Sequence, residues 1–337
     1  MNMLLLKHLN CFIFRQSIMI TFAVIGLLGS YSQQCKAQVT QLNAFQRDSI
    51  IYKTARLIKE NYVFKHIGIE ISNELLKNQS QGVYKNIYLP DDLIKQLQIT
   101  ILEISKDKHF KISKSGSTNN KDDHEVLSKY GFKKIEVLEN NIAYFELDHL
   151  PGSKKDLKFA GEVISKHSFC NAIILDVREN IGGSGDLVEY LCNYFFDDTI
   201  ILYTFHNREG EVIYEAKIQP PDSNKLTNLI DIPIYVLIGP NTHSAAESLA
   251  YTLKHFDRAT IIGEISAGMA HPSKTYIIDD LVRVTVPFIR FEHPNTGTDW
   301  EGIGVIPDIQ IELDRNSLVK GVDNQLERAL ELCGNSK

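Results

Sequence analysis

The sequence predicts an α/β protein: a mainly parallel sheet with crossover helices, preceded by a small helical domain. Three observations carry this. Residues 171–177 and 232–238 are short apolar runs rich in isoleucine, suited to strands buried on both faces. Each leads through a glycine-containing turn into a stretch of helical periodicity, residues 186–196 and 244–256. Upstream, Ile50, Ala55, Ile58 and Tyr62, then Leu93, Leu97, Ile101 and Ile104, fall near helical spacing.

Taken in order, the chain opens on a targeting segment. Lys7 and Arg15 precede the apolar run 18–28, and small and polar residues follow, ending in Cys35-Lys36-Ala37. That pattern is a positive region, an apolar core and a small-x-small cleavage site, so residues 1–37 are expected to be a signal peptide cut after Ala37. An uncleaved anchor is the alternative, and the only route by which a membrane enters. Residues 38–112 are expected to form the helical domain. Residues 113–123, Ser-Lys-Ser-Gly-Ser-Thr-Asn-Asn-Lys-Asp-Asp, are wholly polar apart from one glycine and form the clearest internal boundary, expected to be a flexible linker. Residues 124–337 are then expected to form the sheet domain. In it, residues 141–147 are a strand, 155–166 a helix, 281–286 an alternating half-buried strand and 324–332 a closing helix.

The bulk numbers exclude some functions. The chain has 337 residues, 43% hydrophobic, with a formal net charge of −6. The first 37 residues hold Lys7, Arg15 and Lys36 and no acid, so the remainder is more acidic still. Such a balance does not suit nucleic acid or an anionic membrane surface. Past the targeting segment, Cys170, Cys192 and Cys333 form no disulfide framework. No CxxC or HExxH is present, so neither a metal nor another cofactor is expected.

Four segments carry chemistry: Asp107-Lys108-His109-Phe110, Asp176-x-Arg178-x-Asn180-x-Gly182-Gly183, Thr242-His243-Ser244-Ala245-Ala246-Glu247 and Trp300-Glu301-Gly302. A histidine, a Gly-Gly turn, a serine opening a helix and a glutamate are the parts for acyl transfer to water. Two of them sit on strand–turn–helix units, and in open α/β sheets ligands bind at such strand ends. Helix N-termini add free N–H groups there. Ser244 is the candidate nucleophile, although a helix cap is the plainer explanation of a serine there. His243 is discounted because sequence neighbours at a helix start rarely face each other. Asp176 and Arg178 are expected to form a structural ion pair. His271 and Lys274 read as ordinary loop residues.

Together these segments resemble the tail-specific, or C-terminal processing, serine peptidase family. Gly263-Glu264 with Ala267-Gly268, and Glu301-Gly302-x-Gly304-Val305-x-Pro307-Asp308, match its later blocks. Asn61-Tyr62-Val63-Phe64, Asp107-Lys108-His109 and residues 296–302 look like the branch containing interphotoreceptor retinoid-binding protein. The resemblance implies a ClpP/crotonase-like sheet core, Ser244 as nucleophile, and an oxyanion hole built from Ala245, Gly182 and Gly183. Many members use a Ser–Lys dyad with the lysine after the Ala-Gly element, where this chain has Met269. The branch resembling the tricorn protease core uses histidine, serine and glutamate, which fits His109, Ser244 and Glu301. Lys108 stands where tricorn has a serine. No segment is long enough for the usual PDZ domain.

The expected function is a secreted serine peptidase acting on peptides or unfolded protein through a Ser-His-Glu site. Two alternatives share the scaffold: a non-enzymatic apolar-ligand binder, and an esterase or amidase of small substrates. The helical domain is expected to present His109 and to move as a lid on the 113–123 linker. Oligomeric state is not readable from the sequence.

Overall fold

A computed structural model describes residues 41–115, 128–219 and 229–335. The expected signal peptide, residues 1–37, and most of the expected 113–123 linker lie outside them. Three helices come first: α1 (Ala44–Asn61), α2 (Lys65–Ser80) and α3 (Pro90–Ser105). Asn43 caps α1 in a reciprocal box with Gln46, at 2.9 and 3.0 Å. Pro90 opens α3, where its missing N–H costs nothing. Lys106, in the left-handed conformation, closes α3. The chain then turns through Asp107 and His109 into strand β1 (Lys111–Lys114).

The central sheet has six strands in the order β12-β8-β7-β4-β3-β2. They are β2 (Phe132–Leu138), β3 (Ile142–Leu147), β4 (Ala172–Asp176), β7 (Ile234–Ile238), β8 (Thr260–Gly263) and β12 (Ile309–Gln310). All neighbours are parallel except β2 with β3. Helices α4 (Lys154–Lys166), α5 (Gly185–Cys192) and α6 (Ala245–His255) follow β3, β4 and β7, as the alternation of apolar runs predicts. Their apolar faces share one core with Ile173, Leu175 and Val236. The opposite face packs Ile174, Tyr235 and Leu237 against Ala329 of the closing helix α8 (Asn324–Asn335). A short helix, α7 (Arg315–Leu318), precedes it. Cys170 and Cys192 are free and buried.

Two smaller sheets flank this core. Strands β5 (Ile200–His206) and β6 (Val212–Ile218) pair with β11 (Arg290–Glu292). Strand β1 pairs with β10 (Val282–Pro287), which pairs with β9 (Ser273–Ile277). Ser113 and Lys114, expected to begin the linker, are thus strand residues: they sit opposite Arg283 and Val282 and complete a sheet edge. Other ties hold the helical segment. Val63 N–H donates to Pro287 O at 3.1 Å, and Arg208 donates to the carbonyls of Tyr62 and Lys59. The described residues from Asn43 onward form one compact unit.

Candidate active site

Ser244 stands at the N-cap of α6 with φ 49° and ψ −115°. A non-glycine residue at such a φ is strained and persists only where its surroundings enforce it. Glu247, fully buried, supplies much of that enforcement. Its Oε2 accepts the N–H of Ser244 at 2.8 Å and of Met269 at 3.0 Å. Its Oε1 accepts the Ser266 hydroxyl and the Gly268 N–H, both at 2.6 Å. Burial raises the carboxyl's pKa, and these four donors oppose the rise. One carboxylate therefore ties the serine elbow to the 266–269 segment.

The neighbouring turn is held just as closely. Asn180, fully buried, donates to Leu147 O at 3.0 Å and accepts the Gly182 N–H at 2.9 Å. His243 N–H reaches Asn180 O at 2.9 Å, and Thr242 Oγ1 reaches Val177 O at 2.8 Å. A Cβ on Gly182 would lie 2.8 Å from His243 O, and one on Gly183 only 2.1 Å from Leu150 O. Both have positive φ, so glycine is required twice over. Because its N–H is already donated to Asn180, Gly182 serves the site through its missing side chain and not as an oxyanion donor. Gly183 and Ala245 both line the cavity.

His109 also lines this cavity, which measures about 600 Å³. Its backbone N–H donates to Asp107 Oδ1 at 3.0 Å, which fixes the residue at the exit of α3. Its Nδ1 is buried, 3.8 Å from Glu301 Oε2 and 3.8 Å from Asp107 Oδ1. Glu301 Oε2 accepts the Ala270 N–H at 2.6 Å. His271 lies behind, its Nδ1 3.0 Å from Asp107 Oδ2. Burial pushes the His271 pKa down, but hydrogen bonds to Asp107 and Asp299 and the charge of Glu301 raise it to about 9.

The fold therefore brings His109, Ser244, Ala245 and Gly183 to one cavity, with Glu301 behind the histidine ring. Trp300, Phe291, Tyr203, Phe205 and Tyr214 form its aromatic wall. Glu189 braces that wall, accepting the Tyr203 and Tyr214 hydroxyls at 2.8 Å. Lys274 is exposed on β9, its Nζ 5.4 Å from the Tyr276 ring centre, and does not line the cavity. His243 Nδ1 is engaged with Asn241 O at 2.7 Å. Arg178 forms ion pairs with Asp176 at 2.6 Å and Asp323 at 2.7 Å, tying the end of β4 to the start of α8. Lys108 Nζ reaches Ala267 O.

The sequence motifs contain Asp107, Glu247 and Asp299 without giving them a role, and His271 read as an ordinary loop residue. Two signals were present. The spacings Asp107-x-His109 and Asp299-x-Glu301 let an aspartate accept the backbone N–H two residues on, as both do here, at 3.0 and 2.8 Å. His271 follows, by two residues, the position where Ser–Lys relatives carry their lysine. Asp107, His271 and Glu301 bring ligand-type atoms within 4.8 Å of one another. Asp107 and His271 hydrogen-bond one another, and Glu301 accepts the Ala270 amide, so the cluster is an ion-paired network.

Comparison with known proteins identifies the family. Residues 141–311 match the model of peptidase family S41, and residues 37–143 match the N-terminal domain of that family in eukaryotic interphotoreceptor retinoid-binding protein. Carboxyl-terminal-processing peptidase 2 of the Arabidopsis thaliana chloroplast is 32% identical over 138 residues, 41% of this chain and 25% of the relative. The chain thus spans about a quarter of that relative's length. A Parabacteroides merdae protein shares the fold at TM-score 0.64 and 16% identity, over 85% of this chain and 96% of that one. The tricorn protease does so at TM-score 0.56 and 15% identity, over 86% and 37%. With half of its length in the family's catalytic module and the preceding segment in a domain of the same family, the chain belongs to peptidase family S41.

Proposed function

We propose that this chain is an exported serine peptidase that hydrolyses peptides or unfolded chains with Ser244, His109 and Glu301. The observation that carries the reading is a strained serine elbow sharing one cavity with a histidine whose inner nitrogen is buried beside a carboxylate. In this reading Ser244 Oγ attacks the scissile carbonyl and His109 Nε2 takes its proton. The oxyanion that forms meets the N–H groups of Gly183 and Ala245, at the start of α6, where the helix dipole is positive. His109 then gives the proton to the leaving amine. Water, activated by the same nitrogen, releases the acyl group. Glu301 fixes the ring and balances the imidazolium that forms between these steps. The 3.8 Å gap from Nδ1 to Glu301 exceeds hydrogen-bond reach, and such contacts tighten when substrate fills the site.

Labelling with a fluorophosphonate probe tests the reading, because it reports an activated serine without needing the substrate. Modification of Ser244 is expected, and an unmodified Ser244 would overturn the assignment. The aromatic wall favours a second reading, carriage of an apolar ligand on the same scaffold. A carrier would bind such a ligand with its serine unreactive to the probe. Export is supported by the charge and apolar pattern of residues 1–37. The N-terminal sequence of the protein recovered outside the cytoplasm should begin after Ala37.

A further inference from the structure

Behind His109 lies a second histidine that the proton transfer above does not use. His271 is 1% exposed. Its Nδ1 stands 3.0 Å from Asp107 Oδ2 and 3.4 Å from Glu301 Oε2, and its Nε2 is 3.4 Å from Asp299 Oδ2. The Tyr62 hydroxyl shares Asp107 Oδ2 at 3.2 Å, and the Phe64 ring packs edge-on against the imidazole at 5.2 Å. Asp107 and Glu301 are the same carboxylates that approach His109 Nδ1. Two imidazoles therefore share two carboxylates. One ring lines the cavity and the other is sealed behind it.

The protonation of the sealed ring follows from its partners. A neutral imidazole has one N–H; here Nδ1 is within hydrogen-bond distance of Asp107, and Nε2, which has no hydrogen-bond partner, faces the Asp299 carboxylate at 3.4 Å, so negative charge on both sides favours the imidazolium. Three carboxylates gathered in a largely buried site repel one another, and a buried charge without a counter-ion is strongly disfavoured. The imidazolium answers both costs.

We propose that His271 is a positioning residue, a fixed cation that keeps Asp107 and Glu301 ionised and aimed at His109 Nδ1. The proposal rests on the Ser244–His109–Glu301 reading. His271 touches neither the cavity nor Ser244; it acts through the two carboxylates. Its charge offsets part of theirs at His109. The groups that set this balance are Asp107 from the α3 exit, Tyr62 from the end of α1, Asp299 and Glu301 from the Trp300 loop, and His109 itself.

The test is the rate of fluorophosphonate labelling at Ser244 against pH, in the full chain and in His271→Gln and His271→Lys. The Gln variant should move the acid limb of the profile up by about one pH unit, a loss of about tenfold in rate below the limb. The Lys variant, which restores a cation, should bring the limb back. A limb that stays in place in folded His271→Gln, or a Lys variant that behaves like Gln, would overturn the proposal. A direct measurement guards against variants that do not fold. In the ¹⁵N-histidine spectrum of the wild-type chain at pH 7.5, both ring nitrogens of His271 should be protonated, and a neutral tautomer there would overturn it too. Failure of the serine reading is distinguishable, since an unlabelled Ser244 in the wild type leaves the His271 spectrum to be read on its own.

Discussion

The Glu247 carboxylate accepts the backbone N–H of Ser244 at 2.8 Å, so the residue that orders the elbow is itself on the first turn of the helix the elbow opens. Glu247→Gln replaces one accepting oxygen with an NH₂ group that faces N–H donors. A buried donor left unmet costs about 1–3 kcal/mol. Chemical denaturation should show a loss of that order, and labelling of Ser244 should slow. A stability unchanged within about 0.3 kcal/mol would show that the four contacts are incidental.

Replacing Ser244 separates chemistry from strain. Ser244→Ala and Ser244→Gly should both lose hydrolysis by several orders of magnitude. Glycine tolerates the φ of 49° that alanine does not, so the Gly variant should be the more stable, by about 1 kcal/mol. The order of the two melting temperatures checks this.

The base should be His109 and not Lys274. Lys274 lies outside the cavity lining, so Lys274→Ala should keep near-wild-type rates, while His109→Ala should fall by at least about a hundredfold. Steady-state kinetics of the two variants decide it, and the reverse pattern would reassign the mechanism to a lysine.

Glu301→Gln should lower kcat more than it changes KM, because the carboxylate balances a charge that exists only during the reaction. A loss of about a hundredfold or more in kcat is expected. If KM alone rose, Glu301 would be a substrate-binding group.

The His271 cluster also predicts how stability follows pH. In the fold the His271 pKa is raised to about 9 by its carboxylate partners, above the ordinary histidine value of about 6.5, so the cluster's contribution is fully present below about 6.5 and is lost as pH rises through about 9. Unfolding measured from pH 6 to 10 should show the wild-type chain losing its advantage over His271→Gln across that window. A constant difference would mean that His271 folds uncharged.

Much of the fold was legible because the central strands are buried on both faces. Ile173, Ile174, Leu175 and Val236 must all be apolar, and such runs stand out in a sequence. The strands of the β5-β6-β11 sheet did not stand out. Val212, Ile213 and Tyr214 are exposed on β6, so no clean alternation marks them, although Tyr214 with Tyr203 and Phe291 walls the cavity. Strand β1 is polar and is a strand only because Lys111 to Lys114 meet Thr285 to Val282 some 170 positions later.

Local chemistry was set within a few residues, which is why sequence alone determined it. The serine opening α6, the two glycines whose φ no other residue easily takes, and the Glu247 that follows Ser244 by three are all properties of contiguous chain. Which nitrogen of His109 is buried, which amide of the Gly-Gly turn is already donated, and what charge His271 carries depend on atoms brought together from residues 107, 180, 271 and 301. Desolvation and Coulomb attraction act through distance in the folded chain, and only the tertiary structure decides those distances.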